Sequence, residues 1–350
     1  GASTRPPSGR RRRQWHYGAT MIPSPGESLT TTDYHCAGEP FRILDVGPME
    51  GRTAGDRREW AIKNLDDLRR FLVNEPRGHA DMYGGFVVPP DDPGGDLGVI
   101  FFHKDGFSTA CGHGTIAVVT WAIDTGLIAT DGEAVHVVVD VPSGRLPTTA
   151  KLHENRVVNV RFQNVPAYVS TIAKEVPTSF GRLSVAVSFG GAFYASVALD
   201  GMNLSADIGC LDELISLGRQ VRKSLDDSPV VMHAPDDRLS GLYGTIFHET
   251  IGDTPLHQRN VTIFADGQVD RSPCGSGTSA RLALLHQAGI VEMGDPFLNE
   301  GIAGGVFEGR ITETSEAGVI TTIEGSAHLF ARSSFTLDPD DQIGLGFQLR

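Results

Sequence analysis

Short apolar runs, separated by glycine- and proline-rich turns, recur along most of the chain and predict β-strands. The ordered part is expected to begin near Leu29. Trp60, Ile62, Leu65 and Leu68 recur at helical spacing and predict one helix over 54–73. Strands are predicted at 41–46, 84–88, 97–102, 134–139 and 157–162, and then at 184–189, 193–198, 244–248 and 260–264.

Two further apolar stretches each follow a cysteine, and these two cysteines begin nearly identical pentapeptides. The first copy reads C-G-H-G-T at 111–115 and the second reads C-G-S-G-T at 274–278. Each helix-like run that follows ends at a glycine the same distance beyond its cysteine, at Gly126 and Gly289. With another helix predicted near 207–224, the second half repeats the order of elements seen in the first.

Helices interleaved with many strands indicate an α/β or α+β protein, and the repeated order indicates two similar lobes that arose by gene duplication. We place the boundary between the lobes near residue 160. The N-terminal lobe is then 29–160, completed by a C-terminal strand at about 340–350, and the C-terminal lobe is 161–339.

Composition limits the function classes. In 350 residues, 40% are hydrophobic and 21% are charged, which is typical of a soluble globular protein. The net charge of -13 argues against nucleic acid as a partner, because phosphate binding needs a basic face. No run reaches the ~18 apolar residues of a membrane helix. Four scattered cysteines without a C-x-x-C pair suit neither a disulfide scaffold nor structural zinc, so we expect a cytoplasmic protein.

Residues 1–28 differ from the rest of the chain. Four arginines at 10–13 follow proline- and serine-rich sequence, and no acidic residue precedes Glu27. A targeting or nucleic-acid-binding arm is one interpretation, although the lack of an apolar segment argues against a secretory signal. The favoured interpretation is a disordered leader or an over-long start upstream of Met21.

The repeated cysteines lie at predicted helix starts, where unpaired N–H groups and the helix dipole provide partial positive charge. Adjacent glycines let backbone amides approach a bound anion. The same field should lower the pKa of each thiol from ~8.5, so that part of it is thiolate near neutral pH. A thiolate facing a thiol offers a base and an acid to the two faces of one α-carbon. For Cys36 and Cys210, which lack this setting, an inert thiol is expected.

Three further segments accompany the two pentapeptides: D-Y-H-C-A-G-E-P-F-R at 33–42, E-P-R-G-H-A-D-M-Y-G at 75–84 and F-A-D-G-Q-V-D-R-S-P at 264–273. Together these five segments resemble the proline racemase family, which includes hydroxyproline 2-epimerases and trans-3-hydroxy-L-proline dehydratases. The resemblance extends from about residue 30 to the C-terminus. It implies a diaminopimelate-epimerase-like fold, in which each lobe is a β-sheet curled around a central helix, and chemistry without a cofactor or a metal.

The resemblance also implies roles for individual residues. Cys111 and Cys274 would be the acid/base pair. The Asp270 carboxylate and the His113 ring would bind the ring nitrogen of the substrate, as suits a secondary ammonium. The substrate carboxylate would be held by the backbone amides of Gly112, His113, Gly275 and Ser276.

Two aromatic residues would line the substrate ring. Phe264 matches the aromatic residue expected on one wall. The Tyr83 hydroxyl could donate to a hydroxyl group on the substrate ring or point into solvent, and the sequence leaves both alternatives open. The histidines lack metal-ligand spacing, so no metal site is predicted.

The second cysteine discriminates between the reactions of the family. Racemases and epimerases have both cysteines, whereas dehydratases typically replace one of them with serine or threonine. The sequence therefore favours an isomerase, a proline racemase or hydroxyproline 2-epimerase with a two-base mechanism. The alternative is a trans-3-hydroxy-L-proline dehydratase, because 34–42, Tyr83 and 191–194 look more like that branch.

A non-enzymatic alternative is a thiol redox protein or an imino-acid-binding protein, in which Cys111 and Cys274 form a reversible disulfide. The expected partner is a small imino acid, either proline or hydroxyproline, and not a nucleic acid or a membrane. A homodimer is compatible with the sequence.

Overall fold

The computed structural model describes residues 22–24, 26–130 and 132–349. Most of the expected leader, residues 1–21 and 25, lies outside the described residues. Within them the chain forms five α-helices, α1 Ala54–Asn64, α2 Asp66–Val73, α3 Gly112–Asp124, α4 Leu211–Leu225 and α5 Gly275–Gln287. Short 3₁₀ turns occur at Ile208–Cys210, Pro229–Val231 and Asp237–Leu239.

The same ranges contain 18 strands that join in one hydrogen-bonded network. They are β1 Leu29–Cys36, β2 Glu39–Asp45, β3 Tyr83–Val88, β4 Leu97–His103, β5 Gly106–Phe107, β6 Ala134–Val141, β7 Gly144–His153, β8 Arg156–Gln163, β9 Tyr168–Thr178, β10 Gly181–Phe189, β11 Phe193–Ala198, β12 Leu242–Asp253, β13 Leu256–Phe264, β14 Gln268–Asp270, β15 Phe297–Glu300, β16 Val306–Ser315, β17 Gly318–Gly325 and β18 Ala327–Phe335.

The sheet is mixed and curls around two internal helices. Most neighbouring strands are antiparallel, whereas β2–β3, β4–β6, β11–β12 and β13–β15 are parallel. Two antiparallel pairings join distant parts of the chain: β1 with β18, where Leu29 lies opposite Phe335, and β8 with β17, where Phe162 lies opposite Ile323. Strands β1, β2, β8 and β18 surround α3, and β9, β10, β16 and β17 surround α5.

The two internal helices are buried on all sides. Every residue of 112–123 and of 275–285 is buried. A helix that is apolar all round, such as α3, is stable only when other elements enclose it. The α5 helix also buries Arg281, which donates to the Gln258 side chain at 3.1 Å, and burial lowers the pKa of Arg281 to about 10. The fold is therefore the mixed α/β type expected from the resemblance, with one central helix in each curled part of the sheet.

The single helix predicted over 54–73 is instead two helices that meet at Leu65. The Leu65 backbone leaves the helical region, with φ −121° and ψ 14°, while its N–H still bonds to the Ala61 carbonyl at 2.8 Å. The break reorients α2, so that Leu68, Phe71 and Leu72 join the same core layer as Ala61. Periodicity alone missed the break because both halves share one apolar repeat.

The strands predicted up to residue 264 are present, with small changes in their bounds. The pattern missed β1, β5, β7, β9 and β14 as well as β15–β18, although residues of β17 alternate strictly between buried and half-buried positions. The strand expected at 340–350 is wrong. This segment forms turns, closed by bonds from the Asp341 N–H to the Asp338 carbonyl and from the Gly344 N–H to the Asp341 carbonyl. Among its described residues, 340–349, the only β-contact is an isolated bridge between Phe347 and Glu75.

The strand from the C-terminal region that pairs with β1 is instead β18. The boundary near residue 160 stays a prediction. No helix in the described part of the chain is long and apolar enough to span a membrane.

Candidate active site

The N-termini of α3 and α5 meet at two glycines. A Cβ atom on Gly112 would lie 2.4 Å from the Gly275 Cα, and a Cβ atom on Gly275 would lie 2.6 Å from the Gly112 Cα. A contact this close leaves room for glycine only. Because each helix begins immediately after its cysteine, the contact brings Cys111 and Cys274 into one site.

The second glycine of each pentapeptide lies under the thiol. A Cβ on Gly114 would approach the Cys111 Sγ to 2.8 Å, and a Cβ on Gly277 would approach the Cys274 Sγ to 2.9 Å. The threonine that ends each pentapeptide donates its hydroxyl to the cysteine carbonyl, at 2.8 Å in both copies. The second glycine and the threonine thus make matching local contacts in the two copies of the motif.

The two cysteines are alike in burial, 6% and 5% exposed, but differ in backbone conformation. Cys111 is extended, and its Sγ accepts the Gly114 N–H at 3.3 Å and lies 3.4 Å from Nδ1 of His113. Cys274 has φ +64°, a left-handed conformation that is unfavourable for any residue with a side chain. Its N–H donates to the Ser272 Oγ at 3.1 Å. The backbone of the second cysteine is therefore strained, whereas that of the first is not.

Burial raises the pKa of both thiols, because a thiolate loses its hydration there. The Asp270 charge raises the pKa of Cys274 further, and the N–H of Gly114 offsets only part of the effect on Cys111. The lowered thiol pKa expected from the helix ends is therefore wrong. Burial opposes the effect expected from the helix ends, and it holds the pKa of both thiols above its usual range.

Asp270 lies at the end of β14, paired with Thr262 of β13. Its carboxylate accepts the N–H and the hydroxyl of Ser272 at 2.8 and 2.7 Å. Burial raises its pKa to about 6, against the lowering effect of these bonds. The carboxylate lies close enough to Cys274 for its charge to raise the pKa of that thiol. The Asp270 carboxylate, which lies beside the Cys274 thiol, therefore has a pKa only slightly below neutral pH.

His113 and Ser276 occupy matching positions of the two motifs. The His113 ring packs edge-on against Phe41 and Tyr83, with centroid distances of 5.7 and 5.1 Å. Burial lowers its pKa to about 3, so the ring is neutral. The Ser276 Oγ lies 2.6 Å from the hydroxyl of Tyr194. The amides of Gly112, His113, Gly275 and Ser276 belong to the first turns of their helices, where intrahelical acceptors are lacking.

Tyr83, Tyr243 and Phe264 form an aromatic wall of the site. The Tyr83 hydroxyl is hydrogen-bonded to Ser108 and lies 2.9 Å from the Tyr243 hydroxyl. The Phe264 ring stacks on Tyr243, with centroids 5.5 Å apart, and its centroid lies 5.8 Å from that of Tyr83. Of the two alternatives that the sequence left open, solvent exposure of the Tyr83 hydroxyl is wrong, because Tyr83 is only 1% exposed.

The structure adds residues that the sequence did not suggest. The Tyr194 hydroxyl lies 3.5 Å from the Cys274 Sγ, and Tyr243 belongs to the aromatic wall. The two tyrosines lie on β11 and β12, which are parallel neighbours in the sheet. Ser108 and Ser272 support Tyr83 and Asp270. Only Tyr194 had a signal, since it ends the 191–194 segment. The described residues contain no group of three His, Cys, Asp or Glu that could hold a metal ion.

The mixed α/β fold, with two cysteines at facing helix ends, fits the proline racemase class of proteins. The family described as proline racemase matches residues 31–348, and the chain belongs to this family. The membership predicted from the sequence is therefore confirmed.

Relatives with different activities resemble the chain over nearly their full length. A trans-3-hydroxy-L-proline dehydratase of Bacillus thuringiensis subsp. konkukian is 40% identical, covering 91% of this chain and 98% of the relative. A 3-hydroxyproline 2-epimerase of Burkholderia multivorans is 38% identical, covering 92% and 98%. The crystal structure of a hydroxyproline epimerase from Agrobacterium vitis with bound trans-4-hydroxy-L-proline has a TM-score of 0.85 at 28% identity, covering 93% and 96%.

Proposed function

We propose that this member of the family dehydrates trans-3-hydroxy-L-proline, and that one of the two facing cysteines removes the α-proton. The observation that carries the proposal is the contact of Gly112 with Gly275, which sets two thiols beside amides that can hold one carboxylate. The choice of reaction is supported by relatives, since the dehydratase name recurs at 38 to 40% identity. The sequence alone favoured epimerisation, so the relatives reverse that order.

The stereochemistry of the substrate fits a single-face reaction. In trans-3-hydroxy-L-proline the hydroxyl is trans to the carboxylate, so the α-hydrogen and the hydroxyl lie on the same face of the ring. A thiolate on that face takes the proton, the C–H electrons form the C2–C3 double bond, and the C3–O bond breaks. The oxygen leaves as water with a proton from the thiol, and the enamine tautomerises to a cyclic imine. Dehydration thus needs one cysteine as base and acid.

Substrate binding also explains how a thiolate forms at a buried cysteine. The carboxylate accepts from the amides of Gly112, His113, Gly275 and Ser276, and the ring ammonium pairs with Asp270. Asp270 is the main charge that raises the pKa of Cys274. Pairing Asp270 with a cation offsets that charge and makes the thiolate of Cys274 easier to form.

The second candidate is 2-epimerisation of a 3- or 4-hydroxyproline. It is favoured by the presence of cysteine in both motifs, because inversion needs a base on one face and an acid on the other. The 3-hydroxyproline 2-epimerase at 38% identity supports it too. Both candidates begin with removal of the same α-proton.

One assay separates them. The purified protein is incubated with trans-3-hydroxy-L-proline, trans-4-hydroxy-L-proline and L-proline, and products are analysed by chiral chromatography and by detection of the cyclic imine. Dehydration predicts loss of the 3-hydroxy isomer with formation of imine. A 2-epimer without imine would move the proposal to the second candidate, and no turnover of any substrate would contradict both.

A further inference from the structure

Two carboxylates from the first half of the chain accept hydrogen bonds from the backbone on both sides of Asp270. The Glu39 Oε2 accepts the Arg271 N–H at 2.8 Å, and the Asp81 Oδ1 accepts the Val269 N–H at 3.1 Å. The two amides bonded in this way belong to the residues that immediately precede and follow Asp270. Acceptors at both flanking residues fix the position of the backbone from which its side chain extends.

Both carboxylates are buried at a position where burial is costly. Glu39 is 0% exposed and Asp81 is 1% exposed. The Arg271 guanidinium compensates in part, since Nη2 lies 2.9 Å from the Asp81 Oδ2 and Nη1 lies 3.9 Å from the Glu39 Oε2. The second oxygen of Glu39, Oε1, has no hydrogen-bond partner among the described residues. An incompletely satisfied buried carboxylate is poor for stability, which favours a role in the site.

Glu39 itself is held tightly. It follows the β1–β2 turn, and that turn packs against a loop at 301–305. A Cβ atom on Gly38 would lie 2.9 Å from the Ala303 Cβ, and a Cβ atom on Gly305 would lie 2.4 Å from the Ala37 Cβ. Asp270, by contrast, ends a strand of only three residues. The short strand therefore gains its precise placement from partners outside it.

We infer that Glu39 and Asp81 are positioning residues, which hold the Asp270 carboxylate at the place where it meets the ring nitrogen of the substrate. The inference rests on the proposed imino-acid substrate, but not on which reaction follows. Misplacement of Asp270 by a fraction of an ångström weakens both substrate binding and turnover. Neither residue touches the reacting atoms, so their effect on substrate binding passes through Asp270, while the charge of Glu39 also raises the pKa of the Cys111 thiol.

The test compares Glu39→Ala with Glu39→Gln. The amide oxygen of glutamine can still accept the Arg271 N–H, so Glu39→Gln should stay within about threefold of the parent, whereas Glu39→Ala should lose about 10-fold or more in affinity and in kcat/KM. Affinity is measured by calorimetry with trans-3- and trans-4-hydroxy-L-proline in the Cys111→Ser/Cys274→Ser background, where turnover does not interfere. Turnover is measured in the parent background.

A double-mutant cycle distinguishes positioning from general destabilisation. In an Asp270→Asn background, Glu39→Ala should cause no further loss of affinity, because the group it positions has gone. Asp140→Asn is the matched control: Asp140 is equally buried and accepts the Asp91 N–H at 2.8 Å, away from the site. It should lower the unfolding temperature without changing affinity.

The inference is overturned if Glu39→Ala keeps its affinity within twofold, or if its loss is the same with and without Asp270. If Glu39→Ala does not fold, Asp81→Ala and Asp81→Asn replace the pair under the same criteria. Binding without turnover would refute the proposed reaction and leave the positioning role standing. Turnover of the proposed substrate, together with Glu39 and Asp81 variants that behave like the parent, would refute the positioning role and leave the proposed reaction standing.

Discussion

Gly112 and Gly275 touch through their backbones, and a single added methyl group on either would fall 2.4 to 2.6 Å from the Cα of the other. Through this contact two helix N-termini, each preceded by a cysteine, share one site. The contact involves backbone on both sides, so no side-chain movement can relieve an added atom. The distance between the two thiols is therefore sensitive to these two positions.

Gly112→Ala and Gly275→Ala should separate the helix ends and impair the enzyme. Overpacking of this kind costs roughly 1–3 kcal/mol in free energy of unfolding. We expect turnover to fall by about 10-fold or more, since catalytic groups move apart. Gly132→Ala is the control, because its Cβ would meet open space. Full activity in Gly112→Ala would show that the contact does not set the geometry.

Serine substitutions of the cysteines should separate the two reactions. If the protein dehydrates, one of Cys111→Ser and Cys274→Ser should lose about 10²–10⁴-fold in rate while the other keeps a substantial part. If it epimerises, either change should abolish inversion. Imine formation and deuterium exchange at Cα in heavy water are the measurements, and Cys210→Ser is the thiol control. Unchanged rates in both single variants would contradict an acid/base role.

Tyr83→Phe should affect hydroxylated substrates more than proline. The Tyr83 hydroxyl belongs to a buried cluster with Ser108 and Tyr243, which can rearrange to bond a substrate hydroxyl. Loss of one such bond is worth about 0.5–1.5 kcal/mol, or roughly 2- to 10-fold in affinity for a hydroxyproline relative to L-proline. Tyr34→Phe, which removes a buried hydroxyl bonded to Asp124, is the control. Equal effects on both ligands would place the substrate hydroxyl elsewhere.

Activity should fall on the acid side with an apparent pKa near 6. Burial raises the pKa of Asp270 to about 6, so its carboxylate becomes protonated as the pH falls through that value and no longer pairs with the ring ammonium. A profile of kcat/KM against pH between about 5 and 8 should show this limb. Asp270→Asn should remove the limb along with most of the activity. Retention of the limb in that variant would assign it to another group.

The raised pKa of Asp270 also predicts that the Asp270→Asn variant is more stable than the parent protein near neutral pH. Asp270 has its pKa raised from 3.8 to about 6, so the folded protein binds the proton more tightly than the unfolded chain. The stability linked to this proton is present below about pH 4 and is lost as the pH rises through 6. Thermal unfolding should show a gain of up to roughly 3 kcal/mol for Asp270→Asn at pH 7, and little at pH 4. A destabilised variant at pH 7 would contradict this balance.

The local sequence pattern predicted most elements as far as residue 264, because strand alternation and turn composition depend on residues that are close together in the sequence. It failed at Leu65, where one apolar repeat continues across a change of helix direction. It also failed beyond residue 290, for example in β17, where burial alternates along the strand but polarity does not: Thr321 is buried and Ile320 is half-buried. The duplicated pentapeptide, by contrast, predicted the two internal helices correctly.

The sequence by itself determined the family, the pair of cysteines and the glycines beside them, since these depend on local chemistry repeated in two copies. Only the tertiary structure decided what surrounds them. The high pKa of the thiols comes from burial, and the Tyr83–Tyr243 contact joins strands far apart in the chain. The carboxylates of Glu39 and Asp81 accept from amides that lie 232 and 188 positions away in the sequence. Desolvation and long-range hydrogen bonds depend on distances in space, which no local pattern records.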